Sequence, residues 1–191
     1  MVQTRVGEAF EADVNLTVLG PRLSPGDPAP SFVLDRLLPG DAFPRPVRLE
    51  ESGGSVRILN VINSIDTSVC HVETCQWEHL NRVLPAGVRL STVSMDLPFA
   101  LARWGAVQGV EHELLSSHRS ERFGMDYGVL LAEWRLLQRA VFVIDDEDRI
   151  AHAEYVPDQM DEPDYEAALA VVERLTGQHV PPTHPVPPMA R

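Results

Sequence analysis

Lysine is missing altogether: all 16 basic residues of this 191-residue chain are arginines, set against 28 acidic ones for a formal charge of −12. An acidic chain with no basic cluster along it argues against nucleic acid and against anionic membranes as partners. Cysteine is nearly missing too. Cys70 and Cys75 are the only two, too few for a disulfide framework and in keeping with a reducing compartment. Uninterrupted apolar runs are too short to span a bilayer. The first residues carry Glu8, Glu11 and Asp13 and no apolar core segment, so no secretory signal is expected and the cytoplasm is the expected location. Internal repeats are absent.

What is present is ordinary for a folded domain: 44% hydrophobic and 23% charged residues. The length suits one domain able to bury a core without staples. Its expected extent is residues 1–176, followed by a tail, 177–191, with five prolines in fifteen residues and expected to be disordered. Residues 10–19 alternate weakly and predict a short hairpin. Prolines 21, 25, 28 and 30 then hold the chain extended before a strand over 31–34. Val56 to Ile62 reads as a buried strand, Val69 to Leu84 as a helix, Val88 to Ser94 as a strand. A short helix follows around Phe99 to Trp104, and a further helix is predicted over Glu121 to Leu131. Ala140–Ile144 and Arg149–Tyr155 flank the acidic turn Asp145–Asp148 as a hairpin, and Pro163 opens a helix from Asp164 to Leu175.

The most informative stretch is Ser64-Ile65-Asp66-Thr67-Ser68-Val69-Cys70, followed by Cys75. Cys70 falls in the first turn of a helix that leaves the end of a strand. Unpaired N–H groups and the dipole of a helix N-terminus stabilise an anion, so a thiol there is placed to form the nucleophilic thiolate. The order of elements, with the thiol at the first strand-to-helix junction, predicts an α/β, thioredoxin-like sandwich with a central mixed sheet and an N-terminal β-hairpin extension.

Four blocks carry a closer likeness: the Ser64–Cys70 stretch, Asp96-Leu97-Pro98-Phe99-Ala100, Arg139-Ala140-Val141-Phe142-Val143-Ile144-Asp145, and Glu162-Pro163-Asp164-Tyr165-Glu166-Ala167-Ala168-Leu169. Their order and spacing resemble the bacterial thiol peroxidases, a branch of the peroxiredoxins. The resemblance covers about residues 6–176. It implies reduction of hydrogen peroxide and organic hydroperoxides, with Cys70 as the peroxidatic cysteine and Thr67 as its hydroxyl partner. Arg139 would be the permanent cation that supports a thiolate and binds oxygen. No cofactor and no metal are implied. The product at Cys70 would be a sulfenic acid, the reductant thioredoxin or a similar thiol, and the protein a homodimer, with Phe99 to Trp104 near the contact.

Two positions depart from the family. Asn63 stands where the pattern Pro-x-x-x-Thr-x-x-Cys has the proline that packs over the thiol. Gly105 stands where the usual resolving cysteine follows the Asp96–Ala100 block. In its place Cys75 makes the Cys-x-x-x-x-Cys spacing of the peroxiredoxin Q branch, which implies that Cys75 resolves Cys70. Other readings stay open. Cys75 could be a small core hydrophobe, leaving a one-cysteine enzyme or a non-catalytic redox sensor or binding module, and a protein dithiol-disulfide oxidoreductase would share the fold. Cys70, Cys75 and His79 or His71 lack the count and spacing of a zinc site. Thr67 alone would be a plain N-cap, and an arginine at a strand start a solvated one.

The spacing has a mechanical consequence. Five residues of ideal helix separate two Cα atoms by roughly 9 Å, beyond the ~7 Å limit of a disulfide. A Cys70–Cys75 bond therefore requires about residues 68–77 to unwind. Circular dichroism and amide exchange are expected to show helix loss in that segment on oxidation; identical reduced and oxidised forms would contradict it.

Overall fold

The computed structural model describes residues 2–181 and shows a mixed α/β fold built on two sheets. In chain order the elements are β1 (Thr4–Glu11), β2 (Val14–Leu19), β3 (Val33–Arg36), β4 (Arg45–Arg48), β5 (Arg57–Val61), α1 (Ser68–Asn81), β6 (Arg89–Ser94) and α2 (Pro98–Gln108). Then come β7 (Glu113–Ser116), α3 (Arg122–Asp126), β8 (Leu130–Leu131), β9 (Leu136–Leu137), β10 (Ala140–Ile144), β11 (Ile150–Tyr155) and α4 (Tyr165–Thr176). The larger sheet has the order β11-β10-β5-β6-β7-β3-β4. Its centre, β5-β6-β7, is parallel, with α1 and α2 as the crossovers. The two hairpins β10-β11 and β3-β4 extend it antiparallel on either side. Every residue of β5 and β10 is buried, as strands covered on both faces require.

The N-terminal hairpin forms, but it begins at Thr4 rather than near Phe10 and joins β8 and β9 in a second sheet, β1-β2-β8-β9. The helix predicted over Glu121 to Leu131 shrinks to α3. Gly128 takes a left-handed φ of +63°, where a Cβ would lie 1.9 Å from the Pro21 carbonyl oxygen, and the chain then turns into β8. Of the tail, residues 182–191 lie outside the described residues. Val180, just beyond α4, is buried, and its N–H donates to Glu173 (2.6 Å).

Side chains alternate across the sheet, which divides the core in two. On one face Ile58, Leu90, Val141 and Val143 pack under Trp77 and Leu80 of α1 and Ala168, Leu169 and Val172 of α4. On the other, Leu59, Val93, Leu115 and Phe142 meet Phe32, Phe123 and Tyr127. At ~25 cal/mol per Å2 of buried apolar surface, these two layers hold the sheet rigid, so the ends of β5 and β10 are fixed points.

The second half of α1 has a polar anchor as well. Glu78 Oε2 accepts from the His112 ring at Nδ1 (2.8 Å) and from the Glu111 and His112 N–H groups (3.0 and 3.2 Å). Burial alone would push the Glu78 carboxyl up; these hydrogen bonds and the charge of His112 outweigh it and hold it at about 2. A carboxyl lowered on folding stabilises the fold above its ordinary value of 4.5 and loses that contribution as pH falls toward about 2. Urea unfolding of wild type is therefore expected to weaken across that window, and Glu78→Gln to flatten this part of the pH dependence while lowering stability near neutrality. Parallel acid profiles would contradict the anchor.

Candidate active site

The C-terminal end of β5 runs into Ile62, Asn63 and a turn that Asp96 organises from the end of β6. Asp96 Oδ1 accepts from Ser64 Oγ (2.8 Å), and Oδ2 from the Ile65 N–H (2.8 Å) and Ser94 Oγ (2.7 Å). This turn delivers Thr67, in extended conformation, as the N-cap of α1. Cys70 is the third residue of that helix and fully buried. The local expectation of a thiol in the first turn of a helix leaving a strand is met.

Beneath Cys70 lies a buried ion pair. Glu73, one turn further along α1, is 0% exposed, and it accepts a hydrogen bond from Arg139 Nη1, which belongs to a residue 1% exposed at the head of β10. A buried charge without a partner would be strongly destabilising, and this pairing is what allows Arg139 to sit in the core. Arg139 Nη2 also donates to the Gln159 carbonyl (2.9 Å) and, at the limit of a hydrogen bond, to Asn63 Oδ1 (3.5 Å). That same Oδ1 accepts from Cys70 Sγ (3.9 Å). Asn63 is itself fixed by Nδ2, which donates to the Leu137 carbonyl (2.7 Å) and to Gln159 Oε1 (3.0 Å). The Arg139 N–H donates to that Gln159 oxygen too (2.9 Å). Cys70, Asn63, Arg139, Glu73 and Gln159 are one network.

Thr67 is exposed, and its hydroxyl donates to the Ser64 carbonyl (3.0 Å) rather than to the sulfur. It lines a cleft of about 400 Å3 with Asn63, Val69, Trp134, Gln159 and Met160. Asn63 and Gln159 are thus shared between the cleft wall and the network around Cys70.

Cys75 lies five residues further along α1, about one and a half turns, half-buried against the apolar cluster of Ile62, Ile65, Cys70, Leu101 and Trp104. Burial and then the nearby Glu78 charge push its thiol up, so it is protonated at neutral pH. His71 bridges it to α2. The Trp104 indole, which can only donate, bonds His71 Nδ1 (3.2 Å), so the imidazole carries its proton on Nε2, which faces Cys75 Sγ at 4.0 Å. Both cysteines are free and lie in unbroken α1. Gly105 is buried in α2, and a Cβ there would meet Leu114 Cδ1 at 2.8 Å. Among the described residues, no group of three or more His, Cys, Asp or Glu side chains is placed to hold a metal ion. Nor is any helix among them long and apolar enough to cross a membrane.

Glu73, Gln159 and the organising role of Asp96 were not read from the sequence. For Glu73 a signal existed: it is three residues from Cys70, hence on the same helix face, and an acid on a buried face requires a cation.

Residues 24–169 match the redoxin family. A thiol peroxidase of Halalkalibacterium halodurans is 44% identical over 155 residues, 81% of this chain and 90% of that protein. One of Oceanobacillus iheyensis is 41% identical over 156 residues, 81% and 92%. Among solved structures, a peroxiredoxin-like protein from Aquifex aeolicus has a TM-score of 0.75 and 30% identity, covering 91% of this chain and 98% of its own.

Removing the carboxylate of Glu73 would leave Arg139 buried and unpaired. Glu73→Ala is expected to lose about 3–5 kcal/mol in urea unfolding, whereas Glu73→Ala with Arg139→Leu recovers part of the loss. Equal stability of wild type and the single variant would contradict the ion pair.

Proposed function

The chain belongs to the redoxin family, among its thiol peroxidases, and on that premise we propose that it reduces hydroperoxides through Cys70, with Cys75 as the resolving thiol. The observation that carries this reading is the Cys70 network: a buried thiol at a helix N-terminus beside a buried arginine. In the first step the Cys70 thiolate attacks one peroxide oxygen. An S–O bond forms, the O–O bond breaks, and the alcohol or water leaves as the departing oxygen takes a proton. Arg139 supplies the charge that favours the departing oxygen. Its Nε is buried without a hydrogen-bond partner among the described residues, so it has a donor to give to an oxygen that enters. Asn63 Oδ1, between the guanidinium and the sulfur, orients the arginine and holds the thiol through its S–H until it ionises. Thr67, at the cleft wall, would hydrogen-bond the peroxide once its hydroxyl leaves the Ser64 carbonyl.

In the second step Cys75 attacks the sulfenic sulfur. The S–S bond forms, the S–O bond breaks, and water leaves with the thiol proton. The residues 68–77 segment unwinds for this, which breaks the Trp104–His71 contact and the Glu73–Arg139 pair, while Glu78 and Leu80 hold the rest of α1. A thioredoxin-type dithiol returns both cysteines to thiols. Leu97 and Phe99, apolar and about half exposed at the start of α2, would serve a homodimer contact, and the cytoplasm supplies the reducing setting. The packing of Cys75 in an apolar cluster favours the alternative, a one-cysteine enzyme or sensor resolved by an external thiol.

Intact mass and thiol count after one equivalent of peroxide separate the two. Wild type is expected to lose both thiols with a Cys70–Cys75 linkage in its peptide map. Cys75→Ser is expected to accumulate a trappable sulfenic acid, and Cys70→Ser to lose peroxidase turnover. Over-oxidation of Cys70 at equal rates in wild type and Cys75→Ser would remove Cys75 from the cycle.

A further inference from the structure

The end of the sheet farthest from Cys70 gathers the positive charge that the chain lacks as a whole. Alternate residues of a strand share a face. On the face turned away from α1, β5 presents Arg57 and Leu59, β6 Arg89 and Ser91, and β7 Glu113 and Leu115. Arg57 stands opposite Arg89, and Ser91 opposite Glu113. With β3 and β4 as its wall, this face floors a hollow of about 250 Å3. Five arginines (36, 45, 48, 57 and 89) line it against two glutamates (51 and 113), in a chain of formal charge −12.

Their pairing is incomplete. Arg36 pairs with Glu113 (2.7 Å), Arg57 with Asp148 (2.6 Å) and Arg45 with Asp41 (2.7 Å). Among the described residues, the guanidinium groups of Arg48 and Arg89 have no carboxylate or hydrogen-bond partner. Like charges opposite one another on neighbouring strands repel. Asp148 relieves that for Arg57 and leaves Arg89 uncompensated. Apart from Ser52 and Ser91, the remainder of the lining is apolar and includes Phe32, Leu38, Val47 and Leu49.

We propose that this hollow binds a small organic anion, a carboxylate on an apolar body, with Arg48 and Arg89 as the carboxylate clamp. Guanidinium forks match a carboxylate bidentately, and a concave, partly apolar wall concentrates their field. The volume lies below the ~300–1,000 Å3 of drug-sized sites, which limits the body to a medium alkyl chain or a single aromatic ring. The site is separate from the thiol chemistry. It lies at the N-terminal ends of β5 and β6, whereas Asn63 and Cys70 follow the C-terminal end of β5, about 17 Å of strand away. The proposal therefore stands apart from the peroxidase reading.

Isothermal titration with sodium decanoate tests it, with inorganic phosphate as the bare anion and decanol as the uncharged body. Decanoate is expected to bind at one site, at least about tenfold tighter than either control, and Arg48→Ser with Arg89→Ser to weaken it at least about tenfold. Both arginines are exposed, so the variant is expected to keep its thermal midpoint and its rate of Cys70 oxidation. No decanoate binding, or equal binding by the double variant, would overturn the proposal. Phosphate binding as tightly as decanoate would overturn the assignment to an organic anion.

Discussion

The ion pair between Glu73 and Arg139 is the constraint on which the rest of the site depends. Both side chains are almost completely buried, where an isolated charge of either sign would be untenable. Each exists there only because the other does. Glu73 is on α1, three residues beyond Cys70, and Arg139 heads β10, the antiparallel neighbour of β5. Their contact locks the first turns of the thiol-bearing helix to the sheet that supports it. The Gln159 carbonyl takes one more guanidinium proton, and Nη2 also reaches Asn63 Oδ1, which accepts from Cys70. An arginine paired in this way can occupy a low-dielectric setting without water as its partner.

Asn63 shows how a departure from a family pattern becomes part of the same network. Proline at this place could shield the thiol but has no side-chain donor or acceptor. Asparagine fills the position with two donors and an acceptor, tied to Leu137, Gln159, Arg139 and Cys70. It contacts the sulfur at 3.9 Å, and Cys70 has no exposed surface. The change therefore replaces an apolar lid by a hydrogen-bonded one. A similar trade occurs in α2, where Gly105 packs closely against Leu114 and Trp104 instead engages His71 beside Cys75.

The parts of the molecule legible in the sequence were those set by local patterns. The apolar run before Ser64, the capping turn and the uninterrupted stretch after Val69 specify strand, turn and helix without help from the rest of the chain. The β10–β11 hairpin is legible for the same reason, with two alternating runs around an acidic turn. The long helix expected at Glu121 to Leu131 failed because tertiary packing overrode propensity: the Gly128 backbone fits closely against Pro21, and the chain pairs as β8. Glu73 and Arg139 are 66 positions apart, and nothing in their immediate neighbours announces that they meet. Gln159, in a loop between β11 and α4, has no local signal at all. The arginines of the hollow are dispersed along the chain, and only strand register brings Arg57 beside Arg89.

The measurement that tests the central claim most directly is the second-order rate of peroxide with the reduced protein, followed by stopped-flow tryptophan fluorescence in wild type and Arg139→Gln. If the buried arginine supports the thiolate and the departing oxygen, the variant should react about a hundredfold more slowly under conditions where circular dichroism shows it folded, although leaving Glu73 unpaired makes it less stable than wild type. A folded Arg139→Gln protein that reacts at the wild-type rate would contradict the account.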